Sequence, residues 1–200
     1  MPRCPLVERF RDAWLAGALP LVVERSPQGD ERVCSAPNLW MGARWRARQL
    51  RAAEARPGMR VAYVGPPGAE LVQWMVGAWR AGVSLVPAAG ADAARPLRPH
   101  LVVGAGASLD DPLALREAPL DAPGIRLRFL EGHPREVDDA GLLAAVDGTP
   151  KRGRGRPVLL RGPWTRAEVL LGRVLPALAD GAELWVEVEP PSGEGASAAL

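Results

Sequence analysis

Apolar positions along this chain follow two rhythms. Some form short unbroken runs, and others return every three or four residues. The first pattern marks buried strands and the second marks helices. The clearest stretch lies between Gly58 and Pro87. Val61, Ala62, Tyr63 and Val64 form an apolar run, and Gly65-Pro66-Pro67-Gly68 interrupts it. Leu71, Trp74, Met75 and Ala78 then recur at helical spacing, Gly82 ends the helix, and Val83 to Val86 runs into Pro87. This predicts a right-handed βαβ crossover with two parallel strands. Strands apolar on both faces need helices on either side.

The flanking segments extend the pattern. Leu6 to Ala16 reads as a first helix that stops at Gly17, and Leu19–Arg25 with Glu31–Cys34 as two strands joined by a turn-rich segment. Ser35 stands where an N-cap belongs, with Pro37 and Asn38 behind it, and opens a helix to about Ala55. Leu39, Ala43, Ala47 and Leu50 share its core face, with Arg44, Arg48 and Arg51 opposite. Beyond Pro87, His100 to Val103 supplies a third parallel strand, and residues 104–124 read mostly as loop. Ile125–Glu131 alternates apolar and charged residues, the mark of a strand near a sheet edge with one wet face. Val137–Val146 reads as a short amphipathic helix and 147–156 as an exposed basic loop. Val158–Leu160, Arg166–Leu178 and Glu183–Val188 repeat strand, helix, strand. Two βαβ-like units predict one α/β domain over residues 1–189, a three-layer αβα sandwich on a mostly parallel, doubly wound sheet. The last residues, 190–200, lack a periodic apolar face and read as a disordered tail.

Composition narrows the function classes. With 200 residues and 48% hydrophobic content the chain can bury a substantial core. Net charge is only +2, so the overall balance implies no polyanionic partner. Cys4 and Cys34 lack metal-ligand spacing, and His100 and His133 stand apart in loop-like surroundings, which argues against a metal site and fits a reduced cytoplasmic setting. No run reaches the length of a membrane span and no signal pattern opens the chain. Trp40, Trp45, Trp74 and Trp79 read as core packing before they read as a ligand box.

The block Ser35-Ala36-Pro37-Asn38-Leu39, then PGMRVAYVG, then AELVQWMVGAWRAGVSLVP resembles the N-terminal part of the adenylate-forming enzymes, which include acyl-CoA synthetases and peptide-synthetase adenylation domains. Met59 stands where that family usually has Asp. Residues 162–190 resemble the family segment around its Pro-Leu-Phe-His motif, with Gly162-Pro163-Trp164-Thr165-Arg166 replacing the aromatic-histidine end linked to acyl binding. The resemblance implies Mg·ATP or AMP as ligand and a phosphate loop rich in Ser, Thr and Gly, whose successive N–H groups and cation converge on phosphate oxygens. Its one counterpart here is Gly148-Thr149-Pro150-Lys151-Arg152-Gly153, without the preceding Ser/Thr/Gly run, so Gly148, Thr149 and Lys151 are the nucleotide-binding candidates. The family's adenine-binding motif, ribose-binding aspartate and small C-terminal domain have no counterpart in these 200 residues. The expectation is a non-catalytic half domain that binds or scaffolds, with no catalytic residue assigned.

Two other readings stay open. Pro150-Lys151-Arg152-Gly153-Arg154-Gly155-Arg156-Pro157 resembles an AT-hook, in which Arg152, Arg154 and Arg156 would enter a narrow A·T minor groove. Alternatively, the chain is one subunit of a split acyl-adenylate ligase, and an apolar surface then meets a protein partner or a second copy.

Overall fold

The computed structural model describes residues 4–16, 20–104, 107, 118–122, 124–131, 133–150, 157–161 and 164–188. Helix α1 (Pro5–Leu15) buries Leu6, Val7, Phe10 and Trp14, which return at helical spacing. Strands β1 (Pro20–Arg25) and β2 (Glu31–Ser35) pair antiparallel. Helix α2 (Ala36–Ala52) buries Leu39, Ala43, Ala47 and Leu50, the predicted core face. Ser35 does occupy the N-cap, but its side chain makes no capping hydrogen bond, and Pro in the first turn supplies the preset backbone instead. The central unit forms as predicted: β3 (Arg60–Val64), α3 (Ala69–Ala81) and β4 (Ser84–Ala88), with β3 and β4 parallel. Gly82 ends α3 at φ 79°, a left-handed conformation that glycine adopts without strain.

A short helix α4 (Ala91–Ala94) and a 3₁₀ turn lead to β5 (Leu101–Gly104), parallel to β3. Strand β6 (Ile125–Glu131) lies beside β4 and forms a hairpin with β7 (His133–Asp138). The predicted helix over Val137–Val146 therefore starts later, as α5 (Asp139–Asp147), and Val137 belongs to a strand. Asp138 caps that helix by accepting from the Gly141 N–H at 2.8 Å. Strand β8 (Val158–Leu160), helix α6 (Ala167–Val169), a π turn, helix α7 (Leu175–Asp180) and β9 (Leu184–Glu187) complete the described chain. Gly17, the interior of the 104–124 loop and the tail over 190–200 lie outside the described residues.

The α/β class holds, but the strands form two sheets where one was expected. β5-β3-β4-β6-β7 make a five-stranded sheet, and β2-β1-β9-β8 make a second of four. The C-terminal βαβ unit joins β1, through a parallel β1–β9 register from Val22 opposite Leu184 to Arg25 opposite Glu187. One hydrophobic core spans both sheets, and α3 runs through it with Leu71, Val72, Trp74, Met75, Val76 and Trp79 all buried. A smaller cluster around Ala62, Val86, Leu97 and Val102 lies apart from it. Phe10 stacks on Trp14 at 5.2 Å and meets Trp79 at 6.3 Å, so three of these aromatics form one contact chain. Of the four tryptophans read as core, Trp40, Trp74 and Trp79 are buried, whereas Trp45 is 58% exposed because it lies opposite α2's packed face.

Arg126 and Arg128 of β6 do not face water. A bulge between Ile125 and Leu127 interrupts the pairing with β7, and Arg126 is 2% exposed, bound to both oxygens of Asp139 at 2.8 Å. Arg128 binds both oxygens of Asp121, at 2.9 and 2.6 Å. The charges are buried because each guanidinium meets a carboxylate with matched fork geometry. Asp121 also accepts from Arg60 at 3.2 Å and from the Ser84 hydroxyl at 2.7 Å. This cluster gathers Arg60 and Ser84, the first residues of the parallel strands β3 and β4, and ties residues 118–122 beneath the sheet.

His100 completes it, and it is fully buried where a loop-like setting was expected. Its Nδ1 accepts from the Arg60 N–H at 2.9 Å, so its Nε2 carries the hydrogen and donates to the Ala118 carbonyl at 2.8 Å. Burial, helped by the Arg60 charge, holds its pKa below the ordinary histidine value. The imidazolium would also confront Arg60's N–H with a second donor. Below about pH 6.5 the unfolded chain takes up a proton that the native state resists, so stability is full above that value and falls as pH drops through it. Urea midpoints between pH 5 and 7.5 should show this slope, at most about 1.4 kcal/mol per pH unit. His100→Gln, which keeps an acceptor and a donor, should flatten it; an unchanged slope would contradict the assignment.

Candidate functional site

Parallel α/β sheets present ligand crevices at the carboxyl ends of their strands. Here a cleft of about 730 Å³ opens at the ends of β4 and β6. Pro87, Ala88 and Ala89 come from the end of β4, Ala93 and Leu97 from α4 and the turn after it, and Leu130 and Glu131 from the end of β6. Thr165, Arg166 and Glu168 reach in from the start of α6, which belongs to the other sheet's βαβ unit, and Arg135 from the edge strand β7. The cleft thus lies where the two halves of the chain meet.

Its polar groups are unequally engaged. Glu131 accepts the Ala167 N–H at 2.7 Å and so caps α6, fixing the position of Arg166 beside it. The side chains of Arg135 and Arg166 have no ion-pair or hydrogen-bond partner among the described residues. Two guanidinium groups beside an apolar wall suit a ligand with an anionic end and a hydrocarbon or aromatic body, because guanidinium forks match carboxylate and phosphate oxygens.

Another helix start at a strand end is already filled. Glu24 of β1 accepts the Ala69 N–H at 2.7 Å, placing a carboxylate from one sheet on the N-terminus of α3 from the other. A Cβ on Gly68 would collide with that carboxylate, and Gly68 sits at φ 147°. Both observations account for glycine there.

The residues singled out for nucleotide binding lie elsewhere. Gly148 and Thr149 follow α5, where the Gly148 N–H donates to Ala144 at 2.9 Å and the Thr149 hydroxyl to the Ala145 carbonyl at 2.9 Å. Their donors close off a helix C-terminus, the end whose dipole repels anions. Lys151, Arg152, Arg154 and Arg156 lie outside the described residues.

Cys4 is a buried free thiol held in its protonated form. Burial first, then its hydrogen bond to the Asp139 carboxylate, pushes the thiol up to about 12. Asp139 itself stays below its ordinary value: burial favours the neutral acid, but hydrogen bonds from Arg126 and Cys4 outweigh it. Among the described residues no cluster of His, Cys, Asp and Glu is placed to hold a metal ion, and no helix is long and apolar enough to cross a membrane. Sequence reading missed Arg135 and Glu131 because the cleft assembles from four separate segments; the departure at Trp164-Thr165-Arg166 was its one local sign.

No protein-family model and no curated protein matches the chain. Solved structures do. The fatty acid AMP ligase from Legionella pneumophila superposes with a TM-score of 0.71 at 19% identity, over 91% of this chain and 39% of that one. The N-terminal domain of FACL13 from Mycobacterium tuberculosis gives 0.71 at 17% identity, over 96% and 58%. The N-terminal subdomain of NpsA from Klebsiella oxytoca, solved in complex with anthranilyl-AMSN, gives 0.70 at 14% identity, over 94% and 54%. The chain spans between 39% and 58% of the length of these three. At such low identity the agreement is one of architecture, and the chain has the α/β fold of the N-terminal part of the adenylate-forming enzymes.

Proposed function

We propose that this protein is a binding half domain of adenylate-forming type, holding a small acyl or acyl-nucleotide ligand without forming adenylates by itself. The observation that carries this reading is the pair of arginines, Arg135 and Arg166, whose side chains have no partner among the described residues, on the cleft at the ends of β4 and β6 that Glu131 and Glu168 also line. An anionic end would meet the guanidinium groups while the acyl body lies along Pro87, Ala88, Leu97 and Leu130. The NpsA subdomain, of the same fold, was solved with an anthranilyl-AMSN ligand, and this makes the acyl-adenylate class the first to test. Adenylation needs donors converging on the phosphates. The Gly148–Gly153 segment lacks the Ser/Thr/Gly run, and the donors of Gly148 and Thr149 close α5, which supports binding without catalysis.

Calorimetric titration with Mg·ATP, a medium-chain fatty acid and a non-hydrolysable acyl-sulfamoyl adenosine tests the reading. We expect saturable binding of the acyl-bearing ligands, weakened about tenfold or more by Arg135→Ala and by Arg166→Ala, since each removes a charge-assisted bond worth about 1.5–3 kcal/mol. Pyrophosphate exchange should stay at background. Absent binding, or affinities indifferent to both substitutions, would contradict it.

A second reading, a subunit of a split ligase, is favoured by apolar residues exposed on the two outer strands of the four-stranded sheet. Val33, Val23, Trp185 and Leu159 stand in one cross-strand row over all four strands; Val33 and Leu159 at its ends are 55% and 44% exposed, whereas Val23 is buried and Arg25 stacks on Trp185. Sheets with parallel strands are normally covered on both faces. A second chain carrying the adenine-binding half should then co-purify with this one and be lost on Leu159→Glu; a chain that remains alone and monomeric would count against it.

A further inference from the structure

Helix α2 carries a second surface that the cleft does not use. Met41 and Trp45 are 59% and 58% exposed and lie four residues apart, so they stand together on the helix face opposite Leu39, Ala43 and Leu50. Arg44, Arg48 and Arg51 follow one another at four and three residues and form a ridge along one flank of this apolar stripe. Between Glu31 and Glu54 the sequence holds no acidic residue at all.

The neighbouring arginines are accounted for. Arg46 binds Glu70 at 3.0 Å and stacks on Trp74 at 4.5 Å, and Arg80 stacks on Trp40 at 4.6 Å. Arg51 donates to the Arg80 carbonyl at 3.1 Å and makes no ion pair among the described residues. Arg44 and Arg48 make no ion pair or hydrogen bond among the described residues. Tryptophan, methionine and arginine are the residues that interfaces concentrate, and tryptophan and arginine supply most binding hot spots.

We infer that the outer face of α2 docks an acidic amphipathic helix of another protein. Its apolar residues would cover Met41 and Trp45, and carboxylates on one flank would meet Arg44 and Arg48. A nucleic-acid backbone fits less well, because it would engage the arginines and leave Met41 in water. This goes beyond the cleft, and the two fail separately.

The test uses a fluorescently labelled peptide as long as α2, with leucines along one helical face and glutamates flanking them. Its anisotropy is titrated with the full chain at low and physiological salt. Saturable binding is expected, weakened by salt, reduced about tenfold by Trp45→Ala, and abolished by the Arg44→Glu, Arg48→Glu double variant. All three substitutions sit on exposed positions, and circular dichroism should show the fold unchanged. Acyl-ligand binding at the cleft should be unaffected by them. The inference is overturned by any of three results: no binding, equal binding of a shuffled peptide of the same composition, or tighter binding of a duplex oligonucleotide or anionic vesicles.

Discussion

Helix α3 buries ten of its 13 residues, all but Glu70, Gln73 and Arg80, and a helix so largely apolar has to be covered on nearly every side. Two sheets supply the cover. β3 and β4 pack against it from its own βαβ unit, while β1 and helices α1 and α2 close the remaining sides. Each large side chain it buries contributes about 1.5–3 kcal/mol, so Trp74, Met75, Val76 and Trp79 together are comparable to the whole stability margin of an ordinary domain. Polar geometry then fixes the angle of the helix. Glu24 holds its first N–H from the four-stranded sheet, and the Trp79 indole donates to the Arg126 carbonyl at 2.9 Å in the five-stranded one.

That arrangement places the cleft. Its floor comes from the ends of β4 and β6, and one wall from the start of α6, which is held by Glu131 but belongs to the other sheet. Arg166 and Arg135 therefore line one cleft only if the two sheets keep their mutual position. The buried clusters of Arg60, Asp121, Arg128 and His100, and of Arg126, Asp139 and Cys4, have a different task. They lock residues 118–122 and the start of α5 against the sheet: Arg60 and Arg128 share Asp121, Glu136 gives Arg128 a second carboxylate at 2.7 Å, and Asp139 meets Arg126.

The sequence made local structure readable where pattern and packing agree. The βαβ unit from Arg60 to Ala88 was legible because its strands are apolar on both faces and its helix ends at glycine. Strand β7 was not, because His133-Pro134-Arg135-Glu136-Val137-Asp138 has no alternation; its hairpin partner β6 imposes the extended form. The division into two sheets was hidden for a similar reason. Val158–Leu160 and Leu184–Glu187 look like any buried parallel pair, and only tertiary pairing decides that their neighbour is β1 and not β4. Likewise, charges in β6 signalled a wet face locally, while their carboxylate partners lie 7 and 13 residues away.

The central claim is that α3 joins both sheets into one cooperative unit and so gives the cleft a fixed shape. Native-state hydrogen exchange measures this directly, since opening free energies can be read for each strand separately. Amides of β1 and β9 in one sheet, β3 and β4 in the other, and α3 between them should all exchange only by the same global opening, with matching free energies and matching denaturant dependence. If β1 and β9 open at distinctly lower free energy while β3, β4 and α3 remain protected, the sheets are separate units and the cleft has no fixed geometry.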